Sequence, residues 1–292
     1  MANLKELRNK IGVVQSIRKV TEAMKLVAAA KLKKAEQKAE EFREYAFELS
    51  NMLAKIARRS PDTNYELFFG RREVSTEMLL VFASDKGLCG NFNYLVSKEV
   101  SGVISGARAA GRKLHFVCIG AKLFEFLKRR LREDEVIDFM SDFYKSSELF
   151  DNSRKLAEKI IKDFTSGRVD KVSVVGTKYI SPMHRVTEVR SVIPAISAPE
   201  DDTDRTETVF EPNIADILKE FVPYNIGIRI YQSALESVAG EQGSRMTSMD
   251  GATRNADELL TAMTKKYNKT RQYNITQELV EVVAGASAMM KG

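Results

Sequence analysis

Proline is missing from both ends of the chain, and tryptophan from all of it. The six prolines, Pro61, Pro182, Pro194, Pro199, Pro212 and Pro223, leave the first 60 and the last 69 residues without a helix breaker. Both ends are therefore free to form long uninterrupted helices. Only two cysteines and two histidines occur. Cys89 and Cys118 sit in apolar surroundings without CxxC spacing, which predicts buried free thiols in a reducing compartment. His115 falls inside an apolar run and His184 in a loop after Pro182, and neither has a second ligand or base at metal or catalytic spacing. Metal binding and Cys-His catalysis are not expected. No run approaches the ~18 apolar residues of a membrane span, and the start, MANLKELRNK, has no apolar signal core. The expectation is a soluble protein on the cytosolic side with no direct membrane insertion.

Positive charge is concentrated at one end. Residues 1–60 hold 14 Lys and Arg against 7 Glu and no Asp, a net of +7, while the rest holds 32 basic and 33 acidic residues, a net of −1. A basic helix of this kind expects an acidic partner, which leaves a protein surface, a membrane surface or nucleic acid open on charge alone. Its Lys and Arg are spread around the helix and no aromatic residue precedes Phe42, so it lacks the pattern of a nucleic-acid module.

Apolar residues recur at Leu4, Leu7, Ile11, Val14, Ile17, Val20, Met24 and Val27, and the stripe continues through Ala28, Leu32, Ala35, Ala39, Phe42, Ala46, Leu49, Leu53 and Ile56. This predicts one helix ending near Arg58–Pro61. About 55 residues at 1.5 Å each would span roughly 80 Å. The C-terminal stretch has heptad positions Leu235, Gln242, Met249, Ala256, Met263 and Thr270, with companions Val238, Arg245, Ala252, Leu259, Lys266 and Tyr273. Gln242, Arg245 and Lys266 make the seam impure. Gly240, Gly243 and Gly251 each cost about 1 kcal/mol against alanine in a helix, which points to close helix contact or local looseness. The two segments pair most simply within one chain as an antiparallel coiled coil, an intermolecular coiled coil being the alternative. Pro223 suggests a kink or a break between Phe221 and Tyr224.

The middle has a different period. Met78–Phe82, Leu114–Ile119, Lys171–Gly176 and Val186–Ile193 read as strands, and 121–130 and 147–164 as helices, which implies a mostly parallel sheet. The fold expected is mixed: a long antiparallel two-helix coiled coil of the N- and C-terminal helices plus a central α/β domain. Its divisions are 1–60, a linker at 61–75, the α/β domain at 76–196, a polar linker at 197–211 and a C-terminal helix at 212–292. The strand exit Gly87-Leu88-Cys89-Gly90-Asn91 lacks both GxGxxG and P-loop spacing, so it reads as a tight turn into a packed helix and no nucleotide cofactor is expected.

Three segments together resemble the gamma subunit family of F-type ATP synthases, in the bacterial form. They are Ile17–Lys31 (IRKVTEAMKLVAAAK), Ser84–Asn93 (SDKGLCGNFN) and Tyr267–Leu279 (YNKTRQYNITQEL), in the family's order and spread over essentially the whole chain. The resemblance implies a rotor shaft with no active site, standing in a hexamer of alpha and beta subunits and biasing the beta-subunit catalytic sites as it turns. The other implied partners are the epsilon subunit and the membrane c-subunit ring, with no nucleic acid, at the cytoplasmic face of the bacterial inner membrane. Residue by residue, Met24, Lys25, Arg245, Arg271, Gln272 and Thr276 match positions where the family contacts beta subunits. Val280, Val282, Val283, Met289 and Met290 match the tip that turns in a hydrophobic sleeve. The plant-chloroplast form carries a regulatory cysteine pair in an insert; the segment Pro194–Pro212 here has no cysteine, so no thiol switch is expected.

Overall fold

The computed structural model describes residues 2–58, 66–132, 135–140, 142–145, 148–195 and 214–289. In chain order the elements are α1 (Ala2–Arg58), α2 (Glu66–Phe69), β1 (Thr76–Phe82), α3 (Phe92–Ala109), β2 (Lys113–Ile119), α4 (Ala121–Lys128), β3 (Val136–Met140), α5 (Leu149–Thr165), β4 (Lys171–Tyr179), β5 (Arg185–Ile193) and α6 (Ile214–Met289). The residues that were to stop α1 after Arg58, and the polar linker at 197–211, lie outside the described residues. Two compact units result, one of Met1–Val27 with Met246–Gly292, the other Ala28–Arg245.

The larger unit is built on a sheet of order β3-β2-β1-β4-β5, parallel except for β5, which pairs antiparallel with β4. Parallel strands are covered on both faces, which is why Met78–Phe82 is apolar throughout rather than alternating. One face packs against α5 and the 39–56 and 218–235 stretches of α1 and α6. The other packs against α3 and α4. Gly120 fits where β2 passes β1: its φ is +109°, and a Cβ there would lie 2.2 Å from the Ala83 carbonyl oxygen.

Strand β3 has no counterpart in the sequence reading. It is a five-residue edge strand interrupted by Asp138, whose carboxylate meets Lys159 at 2.7 Å, so hydropathy alone does not mark it. Helix α6 runs through Pro223 without a break, which rules out the break, one of the two alternatives expected between Phe221 and Tyr224. The apolar neighbours Val222 and Ile226 are fully buried in the core, and tertiary packing of this kind overrides the loss of one helix hydrogen bond.

In the two-helix unit α1 and α6 pair antiparallel within the chain: Arg18 bonds Asp257, Thr21 bonds Thr253 and Lys25 bonds Asp250, one numbering rising as the other falls. The buried positions on this stretch of α1 keep a strict seven-residue step, Leu7, Val14 and Thr21. Ile17, Val20 and Val27, placed on the seam by hydropathy, are exposed instead. On α6, Met249 and Ala256 are buried as the heptad required, whereas Leu259 and Tyr273 of the companion row are exposed. The true companion position is Thr253. Polar residues hold seam positions on both helices, and a reading that follows only apolar side chains slides to the adjacent row.

Candidate functional site

The motif Ser84–Asn93 is where the sheet unit grips its own stretch of α6. The Ser84 hydroxyl donates to the Lys86 carbonyl at 2.8 Å, and the Asn93 amide donates to Ser84 Oγ at 2.7 Å while its oxygen accepts from the Ser84 backbone N–H at 3.1 Å. These bonds fold the strand exit back on the start of α3. Gly90 and Leu88 both take left-handed backbone, at φ +56° and +63°. From α6, the Ser244 hydroxyl donates to the Cys89 carbonyl, and Arg245 Nη2 reaches the Lys86 and Gly87 carbonyls at 3.4 and 3.3 Å. Glu241, one turn earlier, holds Arg245 at 2.7 Å. Burial raises the pKa of Glu241 against the pull of that arginine.

The glycines explain how α6 comes so close. A Cβ on Gly240 would lie 2.8 Å from Thr177 Cγ2, and one on Gly243 would sit 3.4 Å from the Pro182 backbone. These two are contact glycines, and the partner is the sheet rather than α1. Gly251 meets nothing within 4 Å. Both thiols are buried and free, and burial pushes the Cys118 thiol up to about 12, far from the range of a nucleophile. Among the described residues no cluster of three or more His, Cys, Asp or Glu could hold a metal, and no helix is long and apolar enough to cross a membrane.

The named contact residues fall in two environments. Arg245 belongs to the grip on the motif loop, with its Nη2 engaged by the Lys86 and Gly87 carbonyls and by Glu241. Met24 and Lys25 lie in the two-helix unit, Met24 half-buried and Lys25 paired with Asp250 at 2.7 Å. The Lys25 ammonium holds the Asp250 carboxyl below the usual carboxylate range. Asp257 in turn raises the pKa of Arg18. Beside the seam, Val13, Ile17, Val20 and Val27 form an exposed apolar row on α1 in line with Met24.

Further along α6, Arg271, Gln272 and Thr276 are all exposed. The Thr276 hydroxyl donates to the Gln272 carbonyl at 2.9 Å, which fixes the two on one face one turn apart. Beyond them the helix is apolar and in water: Val280 is 58% exposed, Val282 72%, Val283 57% and Met289 87%. Met290 lies outside the described residues. Sequence reasoning did not find Asp250, Thr253, Asp257 or Ser244. The signal for the acidic pair was present, since Asp250 and Asp257 are seven apart, as are Arg18 and Lys25.

Comparison with known proteins assigns the chain to a family. The family model described as ATP synthase matches residues 3–289. The ATP synthase gamma chain of Sinorhizobium fredii is 35% identical over 295 residues, covering 99% of this chain and 100% of that one. The gamma chain of Gluconacetobacter diazotrophicus is 36% identical with the same coverage. In fold, the chain is similar to one in the mitochondrial ATP synthase of Euglena gracilis, solved as OSCP, F1 and c-ring, with a TM-score of 0.66 at 12% identity over 99% of this chain and 95% of that one. Two terminal helices, a mostly parallel sheet and a family match across nearly every residue agree: the chain belongs to the ATP synthase gamma-chain family.

Proposed function

We propose that the chain is the central rotor shaft of an F-type ATP synthase. It is non-catalytic, turns inside a hexamer of alpha and beta subunits, and couples ion flow through the membrane c-subunit ring to chemistry at the beta-subunit sites. The observation that carries this reading is the end of α6. A helix that leaves Val280, Val282, Val283 and Met289 in water, after an exposed polar group at Arg271, Gln272 and Thr276, is a surface made to be enclosed. An apolar tip fits a smooth sleeve, because apolar contact has no direction and costs little to turn. The polar group above it fits the opposite task. Hydrogen bonds are directional, so Arg271, Gln272 and Thr276 can hold a beta-subunit loop in one rotary orientation and release it in others.

Met24 and Lys25, with the exposed apolar row on α1, are read as a second beta-subunit contact. Arg245 is read as supporting the contact surface from within, since its guanidinium ties α6 to the motif loop. The epsilon subunit and the c-ring complete the partners, and the complex lies on the cytoplasmic face of the bacterial inner membrane. The division of the chain into terminal helices at 1–60 and 212–292 around a domain at 76–196 is part of the same reading. The test is reconstitution. The full chain, mixed with purified alpha and beta subunits, is expected to enter one complex with ATPase activity, whereas recovery of the chain alone, with alpha and beta assembling without it at the same activity, would reject the proposal.

A further inference from the structure

A cavity of about 500 Å³ is lined by α1, β5 and α6 residues of the sheet unit, among them Arg43, Ser50, Arg190 and Arg229. The three arginines are not equally served. Arg190 has two carboxylates, Glu236 at 3.0 Å and Glu188 at 3.4 Å. Among the described residues Arg229 has no carboxylate and its side chain makes one hydrogen bond, from Nη1 to the Ser191 carbonyl at 3.2 Å. A guanidinium carries five N–H donors and stays charged at neutral pH, so most of its capacity is open. Burial and the neighbouring Arg190 push its pKa down to about 10. A partly buried cation beside a like charge, without a counterion, is unfavourable unless an anion comes from outside.

The cavity supplies further donors. Arg43, on α1, is exposed and forms no ion pair among the described residues. Ser50 accepts a hydrogen bond from the Asn225 amide at 3.3 Å, which leaves its own hydroxyl hydrogen free to donate. Other polar groups here are occupied: the Ser233 hydroxyl donates to the Arg229 carbonyl at 2.8 Å and the Gln232 amide to Glu236 at 3.2 Å. We propose that this cavity binds a phosphate-type dianion, free or as the phosphoryl group of a small monoester, with Arg229 as its main ligand and Arg43 and Ser50 completing the shell. Two unpaired guanidiniums carry a charge of +2 toward one volume, which a dianion matches and a lone carboxylate does not. The volume exceeds that of a bare phosphate, and the exposed ring of Phe47 at the lining offers an apolar wall for the rest of a monoester.

The experiment compares the full chain in sodium phosphate and in sodium chloride at matched ionic strength and pH. Its melting temperature is expected to rise in phosphate, and calorimetric titration with inorganic phosphate, then glycerol phosphate, separates the free ion from the ester. Arg229→Gln removes an unneutralised charge, so it is expected to melt no lower than the parent in chloride while losing the rise in phosphate, with affinity down by about tenfold or more. Arg43→Gln, at an exposed position where folding is not at risk, is expected to weaken binding as well, and Arg72→Gln, at an exposed position just before β1 and outside the cavity lining, to leave it unchanged. A phosphate effect that survives in Arg229→Gln overturns the assignment. So does a destabilisation by Arg229→Gln of equal size in both salts, or the absence of any phosphate effect on the parent chain, which would assign the counterion of Arg229 to a carboxylate from another subunit.

Discussion

In the sheet unit the carboxylates of Glu77 and Asp170 find partners on several elements, while in the two-helix unit the ion pairs lie at the surface and apolar side chains lie in water. Glu77, buried in β1, meets Arg112 at 2.8 Å, Lys171 at 3.0 Å and the Ser173 hydroxyl at 2.8 Å. Asp170 is ordered in the same way: burial opposes its charge, but the Thr76 amide, Arg71 and the Ser75 amide together hold its pKa low. In the other unit, among the described residues, Lys25 pairs with Asp250 alone and Arg18 with Asp257 and Glu22, with side chains in contact with solvent. The contrast teaches what each region is for. A region that meets its buried carboxylates from several elements is held by its own contacts, whereas one that leaves apolar rows and polar forks exposed is shaped for a partner.

The comparison breaks most visibly at Glu77. Glu77→Ala leaves Arg112 and Lys171 without their shared carboxylate and is expected to cost about 3–5 kcal/mol, read as a lower urea midpoint. An unchanged midpoint would show that the sheet unit does not depend on its buried charges. Arg271→Glu should do the reverse, leaving the urea midpoint alone while lowering ATP turnover and ATP-driven ion pumping by ~10- to 100-fold in membranes carrying normal amounts of complex. That range corresponds to the roughly 1.5–3 kcal/mol of one charge-assisted hydrogen bond. Wild-type rates would remove Arg271 from the contact.

Replacing both Cys89 and Cys118 by alanine separates structure from chemistry on a smaller scale. The expected cost is ~1–3 kcal/mol of stability with ATP hydrolysis by the complex nearly intact. Lost turnover at normal assembly would instead give the thiols a role in coupling. The smallest effect concerns acid. Lys25 depresses the pKa of Asp250 in the folded state, so the stabilisation from this pair is present above the ordinary aspartate range and is lost as pH falls through the depressed value. In the Cys-free background, Thr21→Cys with Thr253→Cys is expected to crosslink within one chain near neutral pH and less readily below pH ~4, near the ordinary aspartate pKa. With Asp250→Asn added, that acid dependence should shrink. Crosslinks formed only between chains would dismantle the intramolecular pairing.

Long helices at both ends and the strands β1, β2, β4 and β5 were legible in the sequence because each rests on local chemistry: missing proline and unbroken apolar runs. The register of the helix pair was not. It depends on Thr21 meeting Thr253 and on Lys25 meeting Asp250, and no hydropathy pattern records which polar side chain will find which.

The helix character of residues 2–58 and 214–289 was thus set by sequence, since 3.6-residue periodicity and backbone freedom act within one segment. Tertiary structure alone decided that Pro223 would stay inside α6, that Ser244 and Arg245 would close on the motif loop at 84–93, and that Arg229 would stand beside Arg190 with no carboxylate among the described residues. Each of these brings together residues far apart in the chain. Their energies arise only when the segments meet, through burial, hydrogen-bond geometry and charges held a few ångströms apart, and none of those quantities exists in a segment read by itself.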